Sequence, residues 1–143
     1  MTTSTTTRPA TVHVAPAHSK VYSALIGVTS LLIVLQGLWA GIFLQHDGER
    51  DAAESWITVH ARGGELAIGL AAVATAFAFW KLRSRRDLWI GSAVLTAVLV
   101  LESYIGGLIV DASKDVLTAV HVPLAMALVG LAVWLPLRAR QRA

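Results

Sequence analysis

Long apolar stretches separated by short polar ones run through this chain. Four of them, residues 22–43, 56–80, 88–110 and 116–137, are each mostly apolar. A helix rises about 1.5 Å per residue, so ~20 such residues cross the roughly 30 Å hydrocarbon core of a bilayer. The pattern predicts an all-α fold: an integral membrane four-helix bundle over residues 21–138, with tails at residues 1–20 and 139–143.

The apolar runs also repeat. VHARGGELAIGLA (residues 59–71) and VHVPLAMALVGLA (residues 120–132) have the same length and carry Val, His, Gly, Leu and Ala at matching places. LQGLWAGIF (residues 35–43) aligns with LESYIGGLI (residues 101–109), pairing Gln36 with Glu102 and Gly41 with Gly107. Each half therefore reads as a helix bearing an amide or an acid, a Gly near its end, a short loop, and a helix that opens on His. The spacing from Gly to His differs between the halves, 41 to 60 against 107 to 121, which a loop absorbs at little entropic cost. Two tandem two-helix repeats pack most simply about a pseudo-two-fold axis along the membrane normal. Spans two and four then stand on the diagonal, and His60 and His121 face each other at one depth.

Composition supports the bilayer as solvent. Of 143 residues, 55% are hydrophobic and 15% charged. No cysteine is present, which excludes disulfides, thiolate metal sites and dithiol chemistry, so redox activity would need a bound cofactor. The net charge of +3 is a matter of placement. Arg8, Lys20, Lys81, Arg83, Arg85, Arg86, Arg138, Arg140 and Arg142 all fall on one side of a four-span protein. The loops QHDGERDAAES and DASKD on the other side are acid-rich. By the positive-inside rule both termini lie in the cytoplasm and the chain sits in the cell's inner, plasma membrane. Basic character thus encodes orientation, and no nucleic acid partner is expected. The first twenty residues, rich in Thr and broken by Pro9 and Pro16, lack the apolar core of a cleavable signal and read as a disordered tail in which His13 and His18 are solvated.

Two imidazoles facing each other across a thin apolar gap point to heme b, because imidazole is an axial ligand of heme iron. His60 and His121 are the expected metal ligands. Four positions on from each, on the same helix face, stand Gly64 and Ala125, small enough to let a flat macrocycle lie close. Gly41 and Gly107 would admit its edge between neighbouring helices. Small residues at these places also serve plain helix packing. Arg62 is the candidate partner for a heme propionate; it reads equally as a snorkelling side chain, paired at i,i+3 with Glu65. Zinc or copper would want three or four ligands, and only His46, placed in a turn, is near enough in sequence to add one.

Glu102 lies mid-span, where an isolated carboxylate is costly, so it is expected to face the bundle interior, protonated or bonded to Gln36 or Tyr104. Two roles stand open: a proton donor or supporting partner of the heme pocket, and a polar clasp to Gln36 across the pseudo-two-fold. Pro123 either bends the last helix or lies harmlessly in its first turn, depending on where that helix starts.

These motifs resemble the heme A synthase family. LESYIGGLIV followed by VHVPLAMALVGLAVWL looks like one half of that eight-span family, and LQGLWAGIF and VHARGGELAIGLA are similar to the other two spans of such a half. The resemblance covers residues 36–137 and implies that His60 and His121 match the family's paired heme ligands. It departs where the family carries a glutamate three residues before the first His and an arginine directly after it; Ile57 and Ala61 stand there, and the family's frequent paired cysteines are missing. The chain also resembles small four-span bacterial membrane proteins of unassigned function. Three functional readings follow: a b-type cytochrome that relays electrons to a respiratory redox partner or holds heme, a heme-modifying enzyme completed by a homodimer, and a cofactor-free accessory subunit of a membrane complex.

Overall fold

The computed structural model describes residues 16–46 and 50–141. The four apolar runs form α1 (Pro16–Gln45), α2 (Arg50–Lys81), α3 (Arg86–Asp111) and α4 (Thr118–Arg140), the last entered through a single 3-10 turn at Asp115–Leu117. All four helices are long and apolar enough to cross a membrane. The chain is an all-α membrane bundle of two tandem hairpins.

The helices overrun the apolar runs that announce them. A helix satisfies its own backbone groups, so it continues into the interface where hydropathy gives no signal. Pro16 opens α1 at the position where a missing N–H costs nothing, and so residues 16–20 belong to the helix rather than to a tail. His18 is not solvated there but stands edge-on to Phe77, with ring centroids 6.1 Å apart.

α1 and α3 each pack against both α2 and α4, while the diagonal pairs are not adjacent. Buried residues recur at three- and four-residue spacing along each inner face. Tyr22, Ile26, Thr29 and Ile33 line α1, and Leu88, Ser92, Leu95, Leu99 and Glu102 line α3. The facing seam of α2 is Gly63, Ala67, Ala71, Ala74 and Ala78. Its small side chains let the larger ones of α1 and α3 fill the middle, the usual route to close packing where lipid offers no hydrophobic driving force between helices.

The basic end is the tighter one. Tyr22 Oη and Ser92 Oγ, 2.8 Å apart, bridge α1 to α3 across the diagonal. Ser30 Oγ donates to the Ala132 carbonyl at 2.6 Å, joining α1 to α4. Asp87 accepts from Arg85 Nη2 at 3.1 Å and from Arg138 Nε at 3.0 Å, and Arg85 also donates to the Arg138 carbonyl at 3.0 Å. Toward the acidic end the seam loosens: among the described residues, α1 has no buried position after Ile33 and α4 none before Leu128.

Candidate functional site

The loosened end is where the two histidines stand. His60 continues the Gly63–Ala67 seam of α2, and His121 continues the line of Ala125, Leu128 and Ala132 on α4. Their side chains therefore project along the inner faces, and both residues are half-buried. Counted from the basic ends of their helices at Lys81 and Arg140, each lies roughly 30 Å along, at a common depth. They sit on diagonal helices and within electrostatic reach of each other.

Each ring is held through Nδ1 by the helix that precedes it. The His60 Nδ1 lies 3.2 Å from the Gln36 backbone carbonyl. The Gln36 side chain is satisfied when its amide nitrogen donates to the His60 carbonyl at 2.8 Å and its oxygen accepts from the Gly64 N–H at 3.1 Å, which leaves that nitrogen 3.0 Å from Nδ1. Gln36 thus offers Nδ1 both an acceptor and a donor, so either neutral tautomer of His60 is accommodated. The edge of Phe43 closes one side of the ring, with centroids 5.6 Å apart.

On the duplicated side, Nδ1 of His121 meets the Glu102 carboxylate through Oε2. This is a close ion-pair contact without the angles of a conventional hydrogen bond, and the Glu102 Oε1 is buried with no partner among the described residues. An ionised carboxylate only accepts, so a hydrogen bond from His121 to it would require the Nδ1–H form, whereas Gln36 serves either form of His60. Glu102 is 6% exposed, as expected of an acid turned to the interior. Its contact is His121 rather than Gln36, on the diagonal helix, or Tyr104, whose side chain is exposed. The polar clasp expected between Gln36 and Glu102 is replaced by two acid- or amide-to-histidine pairs, one in each hairpin.

Both rings are held at Nδ1, which leaves Nε2 as the atom able to bind something in the gap. Among the described residues, no group of three or more His, Cys, Asp or Glu could hold a metal ion. His46 instead sits in a turn, its N–H donating to the Phe43 carbonyl at 3.1 Å. The donor set on offer is two imidazoles.

The other sequence candidates are scattered around this pair. Gly64 and Ala125 are half-buried on the same faces as their histidines, and Gly64 donates to Gln36. Arg62 is on the outer face of α2, its side chain 75% exposed, and donates to Glu65 at 2.8 Å. Two residues on from His60, it points nearly opposite on the helix. Gly41 is exposed with no atom of a neighbouring helix near it, and Gly107 is approached only by Asp111 of its own helix. Pro123 lies inside α4, which begins at Thr118, so the Ala119 carbonyl lacks its helical partner beside His121.

The close contacts fall on glycines that the repeat alignment passes over. A side chain at Gly106 would touch the His121 ring, 3.5 Å from Cε1. A Cβ at Gly63 would overlap the Trp39 ring and the Gln36 amide. Helical spacing was the available signal: Gly106 is four residues from Glu102, and Gly63 three from His60.

No protein-family model, no curated protein and no solved structure matches the chain.

Proposed function

We propose that this chain is a membrane b-type cytochrome that holds one heme near the acidic end of the bundle, with His60 and His121 as its axial ligands. The observation that carries the reading is that two imidazoles, on diagonal helices and at like depth, are each contacted at Nδ1 by the preceding helix, which leaves Nε2 as the ring nitrogen able to bind a ligand. Two nitrogen donors suit the two axial positions of heme iron and fall short of a zinc or copper site. Bound there, heme supplies a one-electron couple. With both axial positions taken by histidine, the chain's own residues serve electron relay or heme holding more naturally than chemistry at iron.

Each residue has a role in that reading. Glu102 orients His121; Gln36 orients His60 through its carbonyl while accommodating either tautomer. Gly64, Ala125 and Gly106 keep side chains off the imidazole faces, and Gly41 and Gly107 leave the outer helix ends slim. The exposed, Glu65-paired position of Arg62 makes it a weak candidate for a propionate, and Lys114 in the α3–α4 loop is the alternative cation. Placing the basic end in the cytoplasm of a plasma membrane follows from the lysines and arginines gathered there. A heme-modifying activity in a homodimer is a variant of the same site that rests on the family resemblance alone.

One observation favours a different reading. The Gln36–His60 and Glu102–His121 pairs already give each imidazole a partner, so the histidines could serve as inter-helix polar contacts in a cofactor-free accessory subunit. A visible spectrum of protein purified in detergent separates the two. A Soret band that shifts with dithionite, and is lost from both His60→Ala and His121→Ala, is expected. A folded protein with no such band, even after incubation with hemin, overturns the cytochrome reading.

A further inference from the structure

Far from the histidines, the basic half of the bundle carries a lateral groove between α2 and α3. It offers about 530 Å³, open to the side, and is lined by Ala72, Ala76, Phe79 and Trp80 on one helix and by Trp89, Ala93 and Thr96 on the other. Its lining includes Thr75 Oγ1 and Thr96 Oγ1, 3.0 Å apart, whose two protons go to the Ala71 and Ser92 carbonyls, or to one of these and the other hydroxyl. Those bonds occupy the hydroxyl protons, so the trough presents an almost wholly apolar surface. At its basic end Phe79 and Trp89 meet edge-to-face, with centroids 5.7 Å apart.

The charges above that end are unbalanced. Arg83 is held over the Phe79 ring at 5.1 Å, at the end of the line of Ala72, Ala76 and Phe79. Arg86 starts the line that continues through Trp89, Ala93 and Thr96 on α3. The only carboxylate among the described residues at this end is Asp87, and Arg85 and Arg138 occupy it. Arg83 and Arg86 therefore flank the mouth of the groove with no acid to neutralise them. An apolar trough about 12 Å long, opening on two uncommitted guanidinium groups at the membrane boundary, has the shape and charge of a lipid with an anionic head group.

We propose that this groove is a binding site for one anionic phospholipid of the surrounding leaflet, with an acyl chain along Ala72, Ala76 and Ala93 and the phosphate between Arg83 and Arg86. The site lies outside the histidine pair and does not depend on it. Its recognition is electrostatic at the mouth and steric along the trough, so phosphatidylglycerol should bind in preference to phosphatidylcholine of the same chains.

Trp89 lines the groove and reports on it. In nanodiscs, dibrominated phosphatidylglycerol at low mole fraction in phosphatidylcholine should quench the fluorescence more strongly than dibrominated phosphatidylcholine, with a relative affinity of roughly five- to tenfold. Trp80 lines the groove as well, so Trp80→Phe/Trp89→Phe should remove most of that difference. Arg83→Gln/Arg86→Gln should bring the ratio to about one, Arg83→Lys/Arg86→Lys should keep most of it, and Arg140→Gln, which removes a charge at the same end away from the groove, should leave it intact. Ala93→Leu, which fills the trough, should weaken quenching by both lipids. Equal quenching in the wild type, a preference that survives the double glutamine variant, or one lost equally with Arg140→Gln would overturn the proposal. The last outcome would mean only a diffuse surface charge.

Discussion

Nδ1 of His121 rests on the carboxylate of Glu102, one helix back and within the same hairpin. His60 stands in the same relation to Gln36, at the backbone carbonyl 3.2 Å away. Matching positions of the two hairpins thus contact the histidine of the following helix, through a backbone carbonyl in one and a side-chain carboxylate in the other. A carboxylate raises the basicity of the imidazole it holds more than a neutral carbonyl does, so in the proposed heme site the two histidines would be unequal ligands.

If the protein takes up heme as proposed, that inequality is measurable. Glu102→Gln keeps the side-chain shape and removes the acceptor-only partner of His121. The midpoint potential should rise, by roughly tens of millivolts, with heme retained, because a less basic imidazole stabilises the oxidised iron less. Glu102→Ala should weaken heme retention by about 10- to 100-fold. A redox titration and a hemin-binding titration read the two effects. An unchanged potential in Glu102→Gln would mean that the carboxylate does not touch His121 in the loaded state.

The glycines separate into those under a neighbour and those beside open space. A methyl group at Gly63 would run into Trp39 and Gln36, while none of the atoms around Gly69 lies within 4 Å of the corresponding point. Gly63→Ala should destabilise the bundle by about 1–3 kcal/mol, the range for overpacking a tight contact. It should also disturb the His60 environment by displacing Gln36. Gly69→Ala should be neutral or slightly stabilising, since it only removes backbone freedom from a helix. Thermal unfolding in one detergent compares them, and similar losses for both would show that the α1–α2 contact at Gly63 is looser than drawn.

The four spans and the hairpin repeat were legible in the sequence because both are patterns of hydropathy and spacing. Helix ends were not, since residues 50–55 of α2 and Pro16 at the head of α1 are helical without being apolar. Of the site, the diagonal placement of His60 and His121 and the inward turn of Glu102 could be read from the repeat and the expense of a charge in lipid. The partner of Glu102 could not. Its nearest equivalent in the alignment is Gln36, but the ring order of the helices places these two on opposite corners and puts His121 on the adjacent helix. Of the two readings open for Arg62, the structure carries the pairing with Glu65 at i,i+3, because two residues on from His60 is the opposite face of the helix.

Ser113, in the turn that follows α3, adopts φ 51°, the left-handed region that a side chain disfavours. The turn is fixed in part by the Lys114 N–H donating to the Leu108 carbonyl at 3.3 Å, so the conformation is set by the helix end and not by the serine itself. Ser113→Gly should stabilise the protein by about 0.5–1 kcal/mol. Ser113→Val should cost at least as much in the other direction. Both shifts would appear in the unfolding midpoint, and a destabilised glycine variant would mean that the serine hydroxyl holds the turn.

At the basic end, one carboxylate organises three segments. Asp87 near the start of α3 takes Arg85 from the preceding turn and Arg138 from the end of α4, while Arg85 reaches on to the Arg138 carbonyl. With Arg85 and Asp87 largely shielded, Asp87→Asn leaves two guanidinium groups facing each other with a single neutral acceptor between them. Hydrogen bonds to charged groups are each worth about 1.5–3 kcal/mol, and partial exposure of Arg138 reduces the share it can lose. A net loss of roughly 1–3 kcal/mol is expected. Arg138→Gln alone should cost less, because Arg85 still neutralises Asp87. The double variant Asp87→Asn/Arg138→Gln should lose less than the sum of the two single losses, since the second change removes a cation the first has orphaned. Strict additivity in that cycle would show that α4 is held at this end by apolar packing of Leu135 and Ala139 alone.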